Sequence, residues 1–334
     1  MANNIRDIAK LAGVSVTTVS KVINNLPNVS PSTRARVQQV IQDQQFIPSH
    51  TARGLVKGKS KTIGMFLTTS LAHPFFSKVV VGLESALKKT GYDLLYLTLD
   101  WNPEYSLVRH CLSRNVEGVL IFGFQENDLN FEEIIQSEIP TVFIDLDMMG
   151  RRAGYVTSEN VESIKNAVYY LHELKHRKIA FVNGHLDSYV GKQRFEGYRR
   201  GIQELGLPYF AEYISIGDFT KESGYAAMKG FMQLEEPPTA VVCSSDMIAI
   251  GVIEAAGEAG LSIPQDLSVI GFDDIELAKH TIPALTTVHQ DFDTIGNQSI
   301  LLLNDLINTP HSPPPALIIP TKFVIRKSCA ECTR

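Results

Sequence analysis

From residue 62 onward, short apolar runs alternate with amphipathic helical segments, and this alternation constrains the fold more than any other feature. The strand-like runs form two successive series of four: residues 62–68, 92–99, 118–123 and 141–145, then residues 178–183, 213–216, 240–244 and 267–272. Alternating strands and helices are typical of parallel sheets covered by helices on both faces. The two series therefore predict an α/β core of two doubly wound parallel-sheet lobes.

The length and composition are compatible with such a core. The chain has 334 residues, of which 44% are hydrophobic, so it can bury more than one apolar core. Residues Met1 to Asn4 contain no apolar stretch that would serve as a secretory signal. No uninterrupted apolar run reaches the roughly 18 residues that a membrane span needs. We therefore expect a cytoplasmic protein with no membrane partner.

Residues 1–47 have the pattern of a small all-α helix-turn-helix head. Asn4 can cap a first helix, Gly13 fits the left-handed residue that ends it, and Ser15 can cap a second helix. Ser30 followed by Pro31 is typical of the start of a third helix. In helix-turn-helix proteins the second helix enters the major groove of DNA. The pattern therefore predicts a DNA-binding head.

The distribution of charge favours the same function. Residues 1–61 carry nine lysines and arginines against two aspartates, a net charge of +7. The whole chain carries −5, which leaves −12 for residues 62–334. A basic head on an acidic body indicates that the head, and not the body, meets phosphate. The alternative is a basic, solvated bundle that binds no nucleic acid.

Five segments carry a resemblance to a known family. They are the run from Ile5 to Asn24, residues 48–55, Arg194-Phe195-Glu196-Gly197-Tyr198, Ser245-Asp246 and Gly271-Phe272-Asp273-Asp274. Together they resemble the lactose/galactose repressor (LacI/GalR) family of bacterial transcription regulators, over essentially the full chain. The resemblance implies a homodimer on a pseudo-palindromic operator. It also implies contacts to base edges from Val16, Thr17 and Lys21, and to phosphate from Ser15, Thr18 and Ser20.

The resemblance further implies that residues 48–60 form a hinge that becomes a short helix on operator DNA. Leu55 would enter the minor groove as an apolar wedge, with Ala52 on the same helical face and Arg53 also at the DNA. Gly54 departs from the usual hinge residue. A glycine costs a helix about 1 kcal/mol, so this hinge helix would depend strongly on DNA. The alternative for Leu55 is an ordinary linker leucine.

The core is expected to be similar to that of periplasmic sugar-binding proteins, in which the chain crosses between the lobes three times. Residues 61–160 and 291–322 would form the first lobe, and residues 161–290 and 323–334 the second. Ligands of open parallel sheets bind beyond the carboxyl ends of the strands, here in the cleft between lobes. The expected effector-binding residues are Phe75, Phe76, Asp145, Ser188, Arg194, Phe219, Ser245, Asp246 and Asp273.

These residues combine an arginine and carboxylates with aromatic faces, a mixture that sugar sites use. We therefore expect a repressor of carbohydrate-utilisation genes controlled by a sugar-like effector. Ser188 stands where the purine repressor of the family has an arginine, which argues against a purine corepressor. A purine-like ligand or a phosphoprotein corepressor is the alternative, and Asp246 could serve only as a helix cap. Asn160 is a weaker candidate, because its neighbours depart from the family pattern.

Other function classes have less support. The missing secretory signal and the basic head oppose a transport-type sugar-binding protein. The first predicted strand leads into residues 68–73 without a glycine-rich phosphate loop, and no nucleophile motif or metal cluster is visible, so neither an enzyme nor a cofactor is expected. Cys111 and Cys243 are expected in the core. Cys329 and Cys332 have C-x-x-C spacing, but we expect a reduced, unstructured tail rather than a zinc site.

Overall fold

The computed structural model of the chain describes residues 4–47, 59–67, 74–98, 106–123, 129–309 and 314–333. These residues form two compact units, a helical one within residues 4–62 and an α/β one that contains two sheets. The predicted hinge residues Ala52, Arg53 and Leu55 lie outside the described residues, so their roles stay predictions.

The helical unit contains α1 (Ile5–Ala12), α2 (Val16–Ile23) and α3 (Pro31–Asp43). Capping side chains and a glycine set the ends of these helices. The Oδ1 atom of Asn4 accepts hydrogen bonds from the backbone N–H groups of Arg6, at 2.9 Å, and Asp7, at 3.2 Å. Gly13 ends α1 with φ of +62°, a conformation that glycine adopts without strain. The three helices bury a small apolar core of their own: Ile8, Ala9, Ala12, Val19, Val22 and Val37.

The first sheet has six strands in the order β11-β5-β4-β3-β1-β2. Their bounds are β1 Thr62–Leu67, β2 Asp93–Leu97, β3 Gly118–Phe122, β4 Thr141–Ile144, β5 Ala153–Ser158 and β11 Ala316–Ile319. The pairings of β1 with β3, β3 with β4, β4 with β5 and β5 with β11 are all parallel. The helices of this lobe are α4 (Pro74–Thr90), α5 (Leu107–Ser113), α6 (Leu129–Gln136) and α12 (Phe292–Asn308).

The second sheet also has six strands, in the order β12-β10-β9-β8-β6-β7. Their bounds are β6 Ile179–Asn183, β7 Ile214–Ile216, β8 Ala240–Cys243, β9 Ser268–Asp273, β10 Thr286–His289 and β12 Lys322–Val324. Only β12 runs antiparallel to its neighbour among the described pairs of this sheet. The helices are α7 (Val161–Glu173), α8 (Tyr189–Glu204), α9 (Lys221–Phe231), α10 (Asp246–Glu258) and the short α11 (Glu276–His280), with a 3-10 turn at Ala211–Tyr213.

All eight predicted strand segments are strands, and two doubly wound lobes are present. The sequence pattern missed β5, β10, β11 and β12. These strands are only three to six residues long and include polar or small residues, such as Thr286, Thr287 and Gly154. A short segment of mixed polarity gives little periodic signal, and its pairing depends on a sheet that earlier strands have built.

The chain passes between the two sheets three times, after β5, after β10 and after β11. Lys322, which was expected in the first lobe, instead begins β12 and pairs with His289 in the second sheet. The chain therefore leaves the second sheet after β10, passes through α12 and β11 in the first lobe, and returns as β12 beside β10.

The C-terminal segment is not the unstructured tail that we expected. The Ser328 hydroxyl donates to the carbonyl oxygen of Val269 at 2.5 Å and accepts from the N–H of Thr286 at 2.8 Å. The Cys329 thiol donates to the same carbonyl of Val269 at 3.3 Å, and burial raises its pKa to about 11. This segment therefore lies against β9 and β10, and a thiol with that pKa stays protonated at neutral pH.

Within each lobe, glycines allow helices to approach one another closely. A Cβ atom on Gly82 of α4 would lie 2.7 Å from the carbonyl oxygen of Phe292, and one on Gly296 of α12 would lie 2.5 Å from that of Val79. In the second lobe, a Cβ on Gly224 of α9 would lie 2.0 Å from the carbonyl oxygen of Ile248. These contacts hold α4 against α12 and α9 against α10.

Across the described residues, no helix combines the length and the apolar character needed to cross a membrane.

Candidate functional site

A pocket lies between the two lobes, at the carboxyl ends of the parallel strands. Seven side chains line it: Phe75, Asp145, Val190, Arg194, Phe219, Ser245 and Asp273. Six of the seven are among the nine effector-binding residues expected from the sequence. The cavity has a volume of about 20 Å³, which is room for about one water molecule. In this arrangement of the lobes the pocket is therefore nearly filled by its own side chains, and a larger ligand needs the lobes to move apart.

Arg194 of α8 is the central cation of the pocket and is only 3% exposed. Its Nε atom donates to Oδ1 of Asn160 at 2.8 Å, and its Nη1 atom donates to the carbonyl oxygen of Ser244 at 2.6 Å. Nη1 also lies 3.8 Å from Oδ1 of Asp273, and the guanidinium lies 3.8 Å from the centre of the Phe272 ring. Burial lowers the pKa of Arg194, and the nearby aspartates oppose that shift. A buried guanidinium needs such partners to remain charged.

Two buried carboxyl groups face this arginine. Asp145 follows β4 with φ of +58° and accepts a hydrogen bond from the Thr157 hydroxyl at 2.7 Å. Asp273 ends β9 with φ of +114° and accepts from Nε2 of Gln290 at 2.7 Å. Burial raises the pKa of Asp145, although Arg194 opposes the rise. Burial likewise raises the pKa of Asp273 to about 6, so this carboxyl can donate or accept a hydrogen bond near neutral pH.

Ser245 and Asp246 have different roles although they are adjacent. The Ser245 hydroxyl accepts from the N–H of Ile248 at 3.2 Å, which caps α10, and the residue also lines the pocket. Asp246 does not line the pocket. Its carboxyl accepts from the N–H of Ile275 at 2.8 Å and from the Thr287 hydroxyl at 2.5 Å, so it holds the loop after β9 in place.

Phe76 and Ser188 were expected at the effector, but the structure places them elsewhere. Phe76 packs edge-on against Phe122, with ring centroids 5.7 Å apart, in the apolar core of the first lobe. Neighbouring residues of a helix point about 100° apart, so Phe75 faces the pocket and Phe76 cannot. The Ser188 hydroxyl caps α8 by accepting from the N–H of Gly191 at 3.1 Å, and it donates to the carbonyl oxygen of His185 at 2.7 Å.

Sequence reasoning missed several residues that support the pocket. Val190 lies one turn before Arg194 on α8, a spacing that could have identified it. Gln290 precedes α12 at one of the crossings, and nothing in the sequence marks its contact with Asp273. Among the described residues, the buried Oε1 atom of Gln290 and the buried hydroxyl of Ser244 have no hydrogen-bond partner. Buried polar atoms without partners beside a pocket are suited to a ligand or a water molecule.

The helical unit holds the predicted DNA-reading residues on one helix. Val19 and Val22 bury one side of α2, while Ser15, Val16 and Thr17 are exposed at its N-terminus. Thr18, Ser20 and Lys21 are half-buried. Ser15 accepts from the N–H of Thr18 at 3.1 Å, which fixes the start of the helix. The exposed end of α2 can therefore present hydroxyl and methyl groups to a groove, with Lys21 one turn further along.

Each of the two units matches a known protein family. The family described as "Bacterial regulatory proteins, lacI family" matches residues 4–49. The family described as "Periplasmic binding protein-like domain" matches residues 168–329.

Individual relatives cover nearly the whole chain. The "HTH-type transcriptional repressor PurR" of Actinobacillus pleuropneumoniae serotype 3 is 36% identical over 97% of this chain and 97% of its own. Among solved structures, the lac repressor dimer bound to operator and the anti-inducer ONPF has a TM-score of 0.84 and 26% identity, covering 99% of this chain and 100% of its own. The complex of the transcriptional regulator CelR with cellobiose has a TM-score of 0.75 and 28% identity, covering 98% and 100%.

Proposed function

Because the chain belongs to the lacI family of bacterial regulatory proteins and is a DNA-binding transcriptional repressor, we propose that a small, neutral, ring-shaped effector in the inter-lobe pocket controls its operator binding. The observation that carries this proposal is the group formed by Arg194, Asp145 and Asp273, which lines the pocket together with Phe75 and Phe219. The pocket therefore offers both charged and apolar side chains to a ligand. One cation against two carboxyls of raised pKa leaves little net charge for an ionic ligand to neutralise.

A purine base is the first candidate for the effector. Relatives that are 35–36% identical over nearly the whole chain carry the name PurR, for purine regulator. The chemistry of the pocket agrees, since carboxyls accept hydrogen bonds from ring N–H groups and a guanidinium donates to a ring carbonyl or nitrogen. Phe75 and Phe219 provide apolar surfaces for a flat heterocycle.

A sugar is the second candidate, and two residues favour it. Ser188 stands where the purine repressor of the family has an arginine, and its hydroxyl has its hydrogen bonds within its own loop. Val190 offers no polar atom, so Arg194 is the one side-chain donor among the residues of α8 that line the pocket. Hydroxyl groups of a sugar can bond to the arginine and the carboxyls. The cellobiose complex of CelR is a related structure with a sugar bound.

On the DNA side, we propose that Val16, Thr17 and Lys21 contact base edges and that Ser15, Thr18 and Ser20 contact phosphate. Exposure at the N-terminus of α2 supports these contacts. The hinge residues Ala52, Arg53 and Leu55 would add a minor-groove contact, and two copies of the chain would bind the two halves of a pseudo-palindromic site.

The test begins with selection of a binding site from random double-stranded DNA by the full-length protein. Fluorescence anisotropy then measures affinity for that site with hypoxanthine, guanine, monosaccharides or cellobiose. We predict that one class changes the affinity about tenfold or more, which corresponds to a coupling free energy of ~1.4 kcal/mol. Arg194→Met should abolish the response.

The matched control is Arg200→Met, because Arg200 lies on the same helix but is half-exposed and paired with Glu196. It should respond as the wild type does. A response to sugars alone would replace the first candidate by the second. Undiminished DNA binding with no response to either class would contradict the proposal of a small ring-shaped effector.

A further inference from the structure

A lysine of the first lobe contacts the loop that follows β9 in the second lobe. Lys78 of α4 donates from Nζ to the backbone carbonyl oxygen of Asp274, at 3.4 Å. Its Nζ atom also lies 5.6 Å from the centre of the Phe292 ring. The side chain is half-buried, so the ammonium has given up part of its hydration for these contacts. The first lobe thus contacts the segment that carries the pocket residue Asp273.

Lys78 donates to the backbone of Asp274 and not to its carboxylate, because both carboxylate oxygens are engaged in the second lobe. Its Oδ1 atom lies 2.5 Å from Nη2 of Arg326, and its Oδ2 atom lies 3.1 Å from Nδ1 of His289. Asp273 and Asp274 have φ values of +114° and +55°, which residues other than glycine rarely adopt. Contacts of this kind keep such a backbone in place and aim the Asp274 carbonyl outward, toward α4.

On the first lobe, the same helix carries the lysine and a wall of the pocket. Phe75 and Lys78 are three residues apart on α4 and therefore lie on one face. Close packing of Gly82 against the backbone of Phe292 and Asp293 fixes α4 to α12. A movement of α4 away from the second lobe would open the pocket at Phe75 and break the Lys78 contact together.

A second contact between the lobes borders the same pocket. Tyr155 of β5 and Tyr189 of α8 meet edge to face, with ring centroids 6.3 Å apart. Tyr189 immediately precedes the pocket residue Val190. This contact is apolar, and neither it nor the Lys78 hydrogen bond involves a ligand.

We propose that Lys78 stabilises the closed arrangement of the lobes before any effector binds, with Tyr155 and Tyr189 as the second contact. The effector then needs to supply only the rest of the free energy of closure, so Lys78 sets the apparent affinity for it. This last step rests on the proposed function. Closure without ligand does not, and it can be tested alone.

The test compares hydrogen–deuterium exchange of the full-length wild type, Lys78→Met and Lys89→Met, with no ligand present. Lys89 is an exposed lysine in the last turn of the same helix and serves as the matched control. Loss of one partly desolvated charged hydrogen bond should shift the closed-to-open ratio about fivefold. We expect exchange in residues 188–194 and 273–278 to become about fivefold faster in Lys78→Met only. Lys78→Arg, which keeps a donor, should restore the wild-type rates.

Two results would overturn the proposal. One is exchange in residues 188–194 and 273–278 that is equal in Lys78→Met and wild type. The other is acceleration over the whole core with a lower thermal midpoint, which would indicate a general loss of stability. Neither result bears on the effector proposal, because no effector is present in the experiment.

Discussion

At the scale of single residues, Asp145 and Asp273 are two carboxyl groups whose surroundings favour their neutral forms. Both are buried, and one guanidinium faces the pair. Such an arrangement lowers stability at neutral pH, which is the usual cost of a pre-formed binding site. An effector that donates hydrogen bonds would favour the ionised carboxyls, so its binding would release protons.

We predict that the free energy of unfolding of the wild type rises, relative to that of Asp273→Asn, as the pH falls from 7.5 to 5. The pKa of Asp273 is raised from its usual 3.8 to about 6 in the folded chain. The stability that this proton contributes is complete below the unfolded-state pKa and is lost as the pH rises through about 6. The slope is at most ~1.4 kcal/mol per pH unit. Urea unfolding of both proteins at several pH values measures it, and a difference that stays constant or falls toward pH 5 would contradict it.

The residues of the pocket differ in how far the sequence could predict them. Arg194, Asp145 and Asp273 follow from the rule that ligands bind at the carboxyl ends of parallel strands, together with the family motifs. The choice between Phe75 and Phe76 depends on the rotational phase of α4, which the sequence leaves open because both residues are apolar. Gln290 and Asn160 act through the crossings between lobes, so their contacts exist only in the tertiary structure.

At the scale of elements, the close packing of α4 against α12 depends on glycines at their contact. Gly82 and Gly296 each face the backbone of the other helix, where a methyl group has no space. The sequence shows an apolar stripe on α4 but does not show which helix covers it. The partner, α12, lies more than 200 residues further along the chain and reaches α4 only after the chain has built the second lobe.

We predict that Gly82→Ala destabilises the core by about 1–3 kcal/mol, because its Cβ would lie 2.7 Å from the carbonyl oxygen of Phe292. Gly257→Ala is the matched control. Gly257 lies inside α10 with no atom within 4 Å of an added Cβ, so alanine there should stabilise by roughly 0.5–1 kcal/mol. Thermal and urea unfolding of the two variants measure the change in the free energy of unfolding, which should have opposite signs in the two. Equal effects would show that helix propensity, and not close packing, decides at both positions.

At the scale of the whole molecule, the head is basic and the core is acidic, which indicates that the two have different functions. The head has its own apolar core, and the two lobes have separate ones. The alternation of strands and helices predicted this division well, since each lobe repeats one local pattern. The returning strands could not be predicted in the same way, because β12 joins the second sheet only where β10 offers an edge.

The last prediction follows from that distribution of charge. Residues 1–61 carry +7 and residues 62–334 carry −12, so binding to DNA without sequence preference should depend on the head alone. Each phosphate that the head neutralises adds about 0.9 to the slope of log affinity against log salt concentration. A chain of residues 62–334 should keep the thermal transition of the core and bind no DNA at low salt. The full chain should bind DNA at low salt. In Lys21→Gln, the slope of log affinity against log salt concentration should decrease by about one unit if Lys21 contacts phosphate. It should stay unchanged if Lys21 contacts only bases. Measurable binding by residues 62–334 would show that the acidic core contributes a DNA contact of its own.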